Sequence, residues 1–178
     1  MLRLTALIAL FCSSPAQARV LMSQKEALAL AFPGGERVER RTFYLDENQR
    51  RAAQESARVK LESMVWTYYV GFSSRGISGY AYFETHLVRT MNETFMAVID
   101  PDGSLRFVEM LAFLEPDDYL ADARWLRQFE GRVLDRDLWL RRGIRNMTGA
   151  SLTSQALTDG VRRVLAVHSL VQAEARPR

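Results

Sequence analysis

The chain reads as an α+β protein: a mixed or antiparallel β-sheet with helices packed on it. Three observations predict this class. Four runs, 64–72, 78–88, 93–99 and 105–114, are rich in aromatic and β-branched residues. Asp100-Pro101-Asp102-Gly103 separates the last two runs, with Pro presetting φ and Gly permitting a positive φ, so they form an antiparallel hairpin. Helix-type patterns lie before and after the strand block rather than alternating with the strands.

The elements follow in order. Met1-Leu2-Arg3 is a short positive segment, Leu4 to Phe11 a short apolar one, and Ala16-Gln17-Ala18 a small-x-small site, so 1–18 reads as an export signal and the mature chain is expected to begin near Arg19. Cys12 is the single cysteine and lies inside that segment, which leaves the mature chain no disulfide. Ser23 and Glu26 fit a capping box for a helix running to about Phe32, where Pro33-Gly34-Gly35 stops it. Val38 to Leu45 is strand-like. Asp46 caps a polar helix over Glu47 to Lys60 whose narrow stripe, Ala52, Ala53, Ala57 and Val59, places it on the surface. Phe95 to Ile99 is continuously apolar, the mark of a central strand covered on both faces. After Pro116, Tyr119, Ala123 and Leu126 keep helical spacing, with Gly131 a C-cap. A shorter apolar stretch follows at Leu134, Leu138 and Leu140. Leu157, Val161, Val164, Leu165 and His168 line one face of a last helix, and Ala173 to Arg178 is its frayed tail.

Composition narrows the function. The net charge of +3 is spread over interleaved acidic and basic residues, unlike the one-sign stripe of a nucleic-acid binder. With two histidines, His86 and His168, and no cysteine outside the leader, no metal motif forms. Gly71 to Ser78 has P-loop glycine spacing but Ile77 in place of the lysine, and reads as a hairpin loop. No G-x-G-x-x-G and no G-x-S-x-G occurs.

Ile144 to Ser154 remains, a small-residue, hydroxyl-rich turn running into the last helix. Gly149 permits a positive φ and Ala150 a close backbone approach. Free helix-start amides and the helix dipole favour an anion there, a phosphate in particular. Four hydroxyls, Thr148, Ser151, Thr153 and Ser154, lie in this turn, and physical reasoning on the sequence does not choose among them.

Thr148-Gly149-Ala150-Ser151-Leu152-Thr153 resembles the S/T-G-A-T/S-x-T motif of the FMN-binding domain family. That family includes the exported FMN subunits of the sodium-pumping NADH:quinone reductase and the Rnf complex. Gly79 to Phe83, Val98 to Gly103, Phe113 to Pro116 and Trp125 to Gly131 extend the resemblance over about residues 64 to 170. Arg145 stands where the family often has Asp, and Ser151 where it commonly has Thr.

The resemblance implies FMN joined through its phosphate to Thr153 by a Mg-dependent flavin transferase that uses FAD. It implies flavin at the N-terminus of the last helix, with Thr148, Gly149, Ala150, Ser151 and Leu152 around the phosphate. Glu115 and Tyr80 are expected beside the cofactor, with Tyr82, Tyr119 and Trp125 as further flanking candidates. On this basis residues 19–63 form an N-terminal helical segment and 64–172 the FMN-binding domain. The expected function is an exported, periplasmic electron carrier working between membrane or exported redox partner proteins. An exported flavin-dependent reductase and a flavin-free binding module of the same fold are the alternatives.

Overall fold

The computed structural model describes residues 19–175. The expected export signal and the last three residues lie outside the described residues. Six strands form one antiparallel sheet: β1 (Arg19–Val20), β2 (Arg37–Tyr44), β3 (Val65–Ser73), β4 (Gly76–Leu87), β5 (Asn92–Ile99) and β6 (Leu105–Phe113), in the order β1-β6-β5-β4-β3-β2. The helices are α1 (Gln24–Ala31), α2 (Glu47–Ala57), α3 (Ala123–Leu126) and α4 (Ser151–Ala175). The α+β class is as expected, and the sheet is wholly antiparallel.

Period-two alternation splits β5 between two cores. Phe95, Ala97 and Ile99 face the larger one under α2 and α4, while Met96 and Val98 face a smaller one under α1 with Ala27, Ala31 and Phe32. All five β5 residues are fully buried, so the central-strand expectation holds. The hairpin after β5 also forms as expected, with Gly103 at φ 91° and Asp100 N–H donating to Ser104 O.

Both N-terminal capping boxes are present, Ser23 with Glu26 and Asp46 with Gln49. α2 ends at Ala57, three residues before Lys60, because Arg58 adopts φ 53° and turns the chain back. Gln54 and Arg50 then satisfy the Leu61 amide and carbonyl, which lets Leu61 bury completely.

Two expectations need correction. Residues 19–63 are not a separate helical segment, because β1 and β2 are the two edges of the common sheet and α2 packs on α4. The stretch from Asp117 to Gly131 is not one helix. It breaks into a 3₁₀ turn at Asp117–Tyr119, the single turn of α3 capped by Asp122, and a 3₁₀ turn at Arg127–Phe129. The reason is a competing backbone pairing: Gly131 N–H donates to Leu105 O and Leu105 N–H to Arg132 O, which draws the chain onto the start of β6. The shorter apolar stretch from Leu134 to Leu140 is an irregular loop. Buried Arg162 takes the carbonyls of Asp135 and Leu138, together with that of Ala57 at the end of α2.

The long helix α4 crosses the larger face of the sheet antiparallel to β4. Gly160 is the point of closest approach: a Cβ there meets Glu84 Oε2 and lies 2.7 Å from Phe95 Cε1. Around it runs a buried polar layer. Glu84 Oε1 accepts from Arg163 Nε at 2.6 Å, and His86 Nε2 bonds Glu93 Oε1 at 2.5 Å. His168, expected at the core edge, is 2% exposed, and its Nδ1 shares a hydrogen bond with the Tyr82 hydroxyl at 2.9 Å.

Gly160→Ala is expected to destabilise the fold by about 1–3 kcal/mol, although alanine is the better helix former. Urea denaturation checks this, and a stability gain would contradict the close approach.

The two histidines also set opposite pH limbs. Burial opposes charge on His86, but the hydrogen bonds and charges of Glu84 and Glu93 outweigh it and raise the pKa from 6.5 to about 9. The folded state then holds a proton that the unfolded chain loses, so this contribution is full below about pH 6.5 and is lost as pH rises through about 9. Burial lowers the His168 pKa from 6.5 to about 4, so its contribution is present above about 6.5 and is lost as pH falls towards 4. Stability is expected to peak near pH 6.5, and His86→Gln to flatten the alkaline limb, as read by urea midpoints across pH.

Candidate functional site

The start of α4 differs from the other helix starts. Side chains cap α1, α2 and α3, through Ser23, Asp46 and Asp122. For α4, the first bonded amide is that of Ser154, donating to Ala150 O at 3.0 Å. The N–H groups of Ser151, Leu152 and Thr153 have no acceptor among the described residues, and no acidic residue lies in the first turn. Gly149 precedes the helix with φ 83°, and a Cβ on it meets nothing within 4 Å, so backbone conformation alone selects glycine there. Three free amides lie at the positive end of a 25-residue helix, which favours negative charge there.

The four hydroxyls are not equivalent. Ser151 Oγ accepts from Asn146 Nδ2 at 2.9 Å. Ser154 is fully buried; its Oγ accepts from Met147 N at 3.0 Å and donates to Ala150 O at 3.0 Å. Thr148 is exposed and precedes the helix. Thr153 is 1% exposed, and its hydroxyl makes no hydrogen bond among the described residues. It lines a crevice too narrow to admit a water molecule, with Ala150, Leu152, Val88, Arg89, Glu115 and Tyr119. The cleft has no room for a tricyclic ring.

Glu115 lines the same crevice, and one of its carboxylate oxygens is engaged. Oε1 accepts from Thr90 N at 2.9 Å and Met91 N at 3.1 Å, across the tip of the β4–β5 hairpin. The Thr90 amide first, then those of Met91 and Arg89, hold its pKa below the usual carboxylate range against the opposing effect of burial. Glu115 therefore anchors the hairpin tip through Oε1 and stays ionised beside the crevice.

Arg89, which sequence reasoning missed, sits on that tip. Its guanidinium lies 4.6 Å over the Tyr119 ring and pairs with no carboxylate among the described residues. Nothing local in the sequence marks Arg89, because the Glu115 anchor that brings it to this crevice lies 25 or so positions away.

Other expected residues lie elsewhere. Tyr80 packs against His168, 4.6 Å between ring centroids, fifteen residues beyond Thr153 on α4 and so about 22 Å along the helix. Tyr80 is thus corrected from a cofactor contact to a core residue, and Tyr82 shares its surroundings. Trp125 is buried and donates its indole N–H to Arg145 O at 2.7 Å, which braces the turn from behind. The exposed Arg145 donates its backbone N–H to Gln128 Oε1 and does not line the cleft.

A larger cleft of about 890 Å³ opens where β3 and β4 part. Their pairing stops at Tyr68 opposite Tyr82, while β3 begins at Val65 and β4 continues to Leu87. Arg163 is its contribution from α4, ten residues past Thr153 and so about 15 Å along the helix. Among the described residues no cluster of His, Cys, Asp and Glu is arranged to hold a metal, and no helix is long and apolar enough to cross a membrane.

No family model matches this chain, and no curated protein matches it.

Proposed function

We propose that the protein is an exported flavoprotein carrying FMN in phosphodiester linkage to Thr153 and relaying electrons between redox partner proteins. The observation that carries this reading is the coincidence at the start of α4 of a motif-matched threonine and three free helix-start amides. The free amides of Ser151, Leu152 and Thr153 would offset the one negative charge that a phosphodiester retains.

In the attachment, Thr153 Oγ1 would bond to the flavin-side phosphorus of FAD, its proton passing to a base of the transferase. The pyrophosphate bond breaks and AMP leaves. A Mg-dependent flavin transferase supplies this step. Thr153 is 1% exposed, so loading needs the 148–152 turn or the hairpin tip to move aside first. The flavin, once bound, supplies one- and two-electron chemistry. The chain offers no nicotinamide fingerprint, so partner proteins are the electron source in this reading.

Thr153→Ala is expected to abolish covalent FMN and keep the fold, read by intact mass and circular dichroism after co-expression with the transferase. Ser154→Ala should keep the flavin but lose about 1 kcal/mol of stability, because it strips a partner from Met147 N. Gly149→Val should impair loading through its positive φ alone. Flavin retained in Thr153→Ala would sink the assignment.

Loaded protein is also expected to be reduced slowly by free NADH. Rapid stoichiometric bleaching of the flavin by NADH alone, followed by absorbance, would instead support the exported reductase alternative. Flavin-free wild type after co-expression with the transferase would support the binding-module alternative.

A further inference from the structure

We propose that the cleft between β3 and β4 is a docking site for an extended, acidic segment of another protein, which adds to the open edge of β4 as a further strand. This goes beyond the flavin reading and does not depend on it, since Arg163 in this cleft lies about 15 Å from Thr153 along α4.

Strand pairing shows which backbone groups are open. Val88 N–H donates to Met91 O at 3.0 Å, so these two residues are a hydrogen-bonded pair at the end of the β4–β5 ladder. Bonded and non-bonded pairs alternate in an antiparallel ladder, so Thr85 and Leu87, opposite Thr94 and Asn92, bond nothing on β5. The Thr85 and Thr94 hydroxyls lie 2.8 Å apart, the close side-chain approach of a non-bonded pair. The N–H and C=O groups of Thr85 and Leu87 therefore point towards β3, where pairing has already stopped at Tyr68 opposite Tyr82. β3 offers no matching edge. Leu45 N–H donates to Met64 O, so the next residue, Val65, turns its backbone to the gap. There Ser63 Oγ accepts from Val65 N–H at 3.2 Å and donates to Val65 O at 2.7 Å, which closes the β3 wall.

The walls decide what the added strand carries. Val65 is 50% and Leu87 61% exposed, and they line the cleft from its two sides. An unpaired strand edge beside exposed apolar side chains is a surface that proteins ordinarily cover. Arg40, Lys60 and Arg163 also line it, and its two carboxylates are already paired, Glu62 with Lys60 and Glu84 with Arg163. Arg40 is exposed and pairs with no carboxylate among the described residues; its guanidinium reaches Thr67 Oγ1 at 3.4 Å. Arg40 is opposite Tyr69 and Tyr69 opposite Ala81, so Arg40, Val65 and Leu87 belong to one face of the sheet. An added strand sends alternate side chains to that face, so an acidic residue for Arg40 and an apolar one for Val65 and Leu87 stand about two positions apart.

The test selects a displayed library of random peptides, about eight residues long, on the full chain, and the recovered peptides are synthesised and titrated. They are expected to share an acidic and an apolar residue at alternate positions. Methylating one alternate set of peptide nitrogens should weaken binding about tenfold or more, and methylating the other set should leave it nearly unchanged, because one strand edge is engaged. Thr85→Pro removes an N–H from the open edge and none from the β5 ladder, so it should weaken binding about tenfold with the thermal melt largely retained. Arg40→Glu should weaken binding about tenfold and remove most of its salt dependence. Bound peptide should slow amide exchange at Thr85 and Leu87.

A library that yields no binding peptide, or peptides that bind folded Thr85→Pro as tightly as wild type, overturns the proposal. Should Thr85→Pro fail to fold, equal tolerance of methylation in both sets overturns it instead. Binding left unchanged by Arg40→Glu overturns the acidic character of the partner. None of these measurements reads flavin loading, so a chain that carries no flavin leaves this docking site standing.

Discussion

The close contact of α4 with the sheet at Gly160 governs the rest of the molecule. Without a side chain there, the helix sinks far enough for Glu84 and Phe95 to meet its backbone. Polar partners then fix its register along its length. Arg163 meets Glu84 one turn on, His168 meets Tyr82 two turns on, and Gln172 reaches Pro101 O at the far end. Each of these bonds is specific to one residue, so a slide by one position would leave buried polar groups unpaired, at about 1–3 kcal/mol apiece. Arg162 applies the same logic sideways, tying α2 and the 135–138 loop to the helix through three backbone carbonyls.

Because the register is fixed, the helix start is fixed too. It falls against the β4–β5 hairpin tip and the residues that follow β6, which are the two places where Arg89 and Glu115 arise. The start is also the unfinished part of the fold. The three other helices close their N-termini with a side chain, a contact generally worth about 1 kcal/mol. α4 forgoes it, and the residue at its cap position is Ala150, which has no side-chain acceptor. A local rule set aside where the rest of the chain obeys it is the pattern of a functional position.

Much of the fold was legible because its signals are local. Ser23 and Asp46 announce two helices through their own oxygens, and Gly103 announces a hairpin through its own φ. Continuous apolarity at Phe95–Ile99 reports two covered faces directly. What failed depended on distant partners. The spacing of Tyr119, Ala123 and Leu126 is helical, yet the Leu105 backbone competes for Gly131 and Arg132 and breaks the helix. Tyr80 shares a strand face with His86, but the helix antiparallel to that strand carries the motif to the other end of it. Arg89 is one arginine among many until Glu115 folds back on its turn.

The choice of hydroxyl is where the two kinds of reasoning meet. On the sequence, helix-start physics leaves Thr148, Ser151, Thr153 and Ser154 open, and only the motif selects Thr153. Hydrogen bonding gives a separate ranking. Ser154 spends both lone pair and proton within the turn, and Ser151 is held by Asn146. Thr148 stands in solvent ahead of the first free amide. An attacking oxygen needs an available lone pair and a proton it can release; at Thr153, which is 1% exposed, space for the incoming phosphorus comes only after the turn or the hairpin tip moves. Among hydroxyls committed to backbone, bonding must first be broken. Thr153 carries no such debt, and it alone of the four opens on the cleft that holds Arg89. That ranking owes nothing to the motif; hydrogen bonding favours Thr153, while exposure favours Thr148 and Ser151.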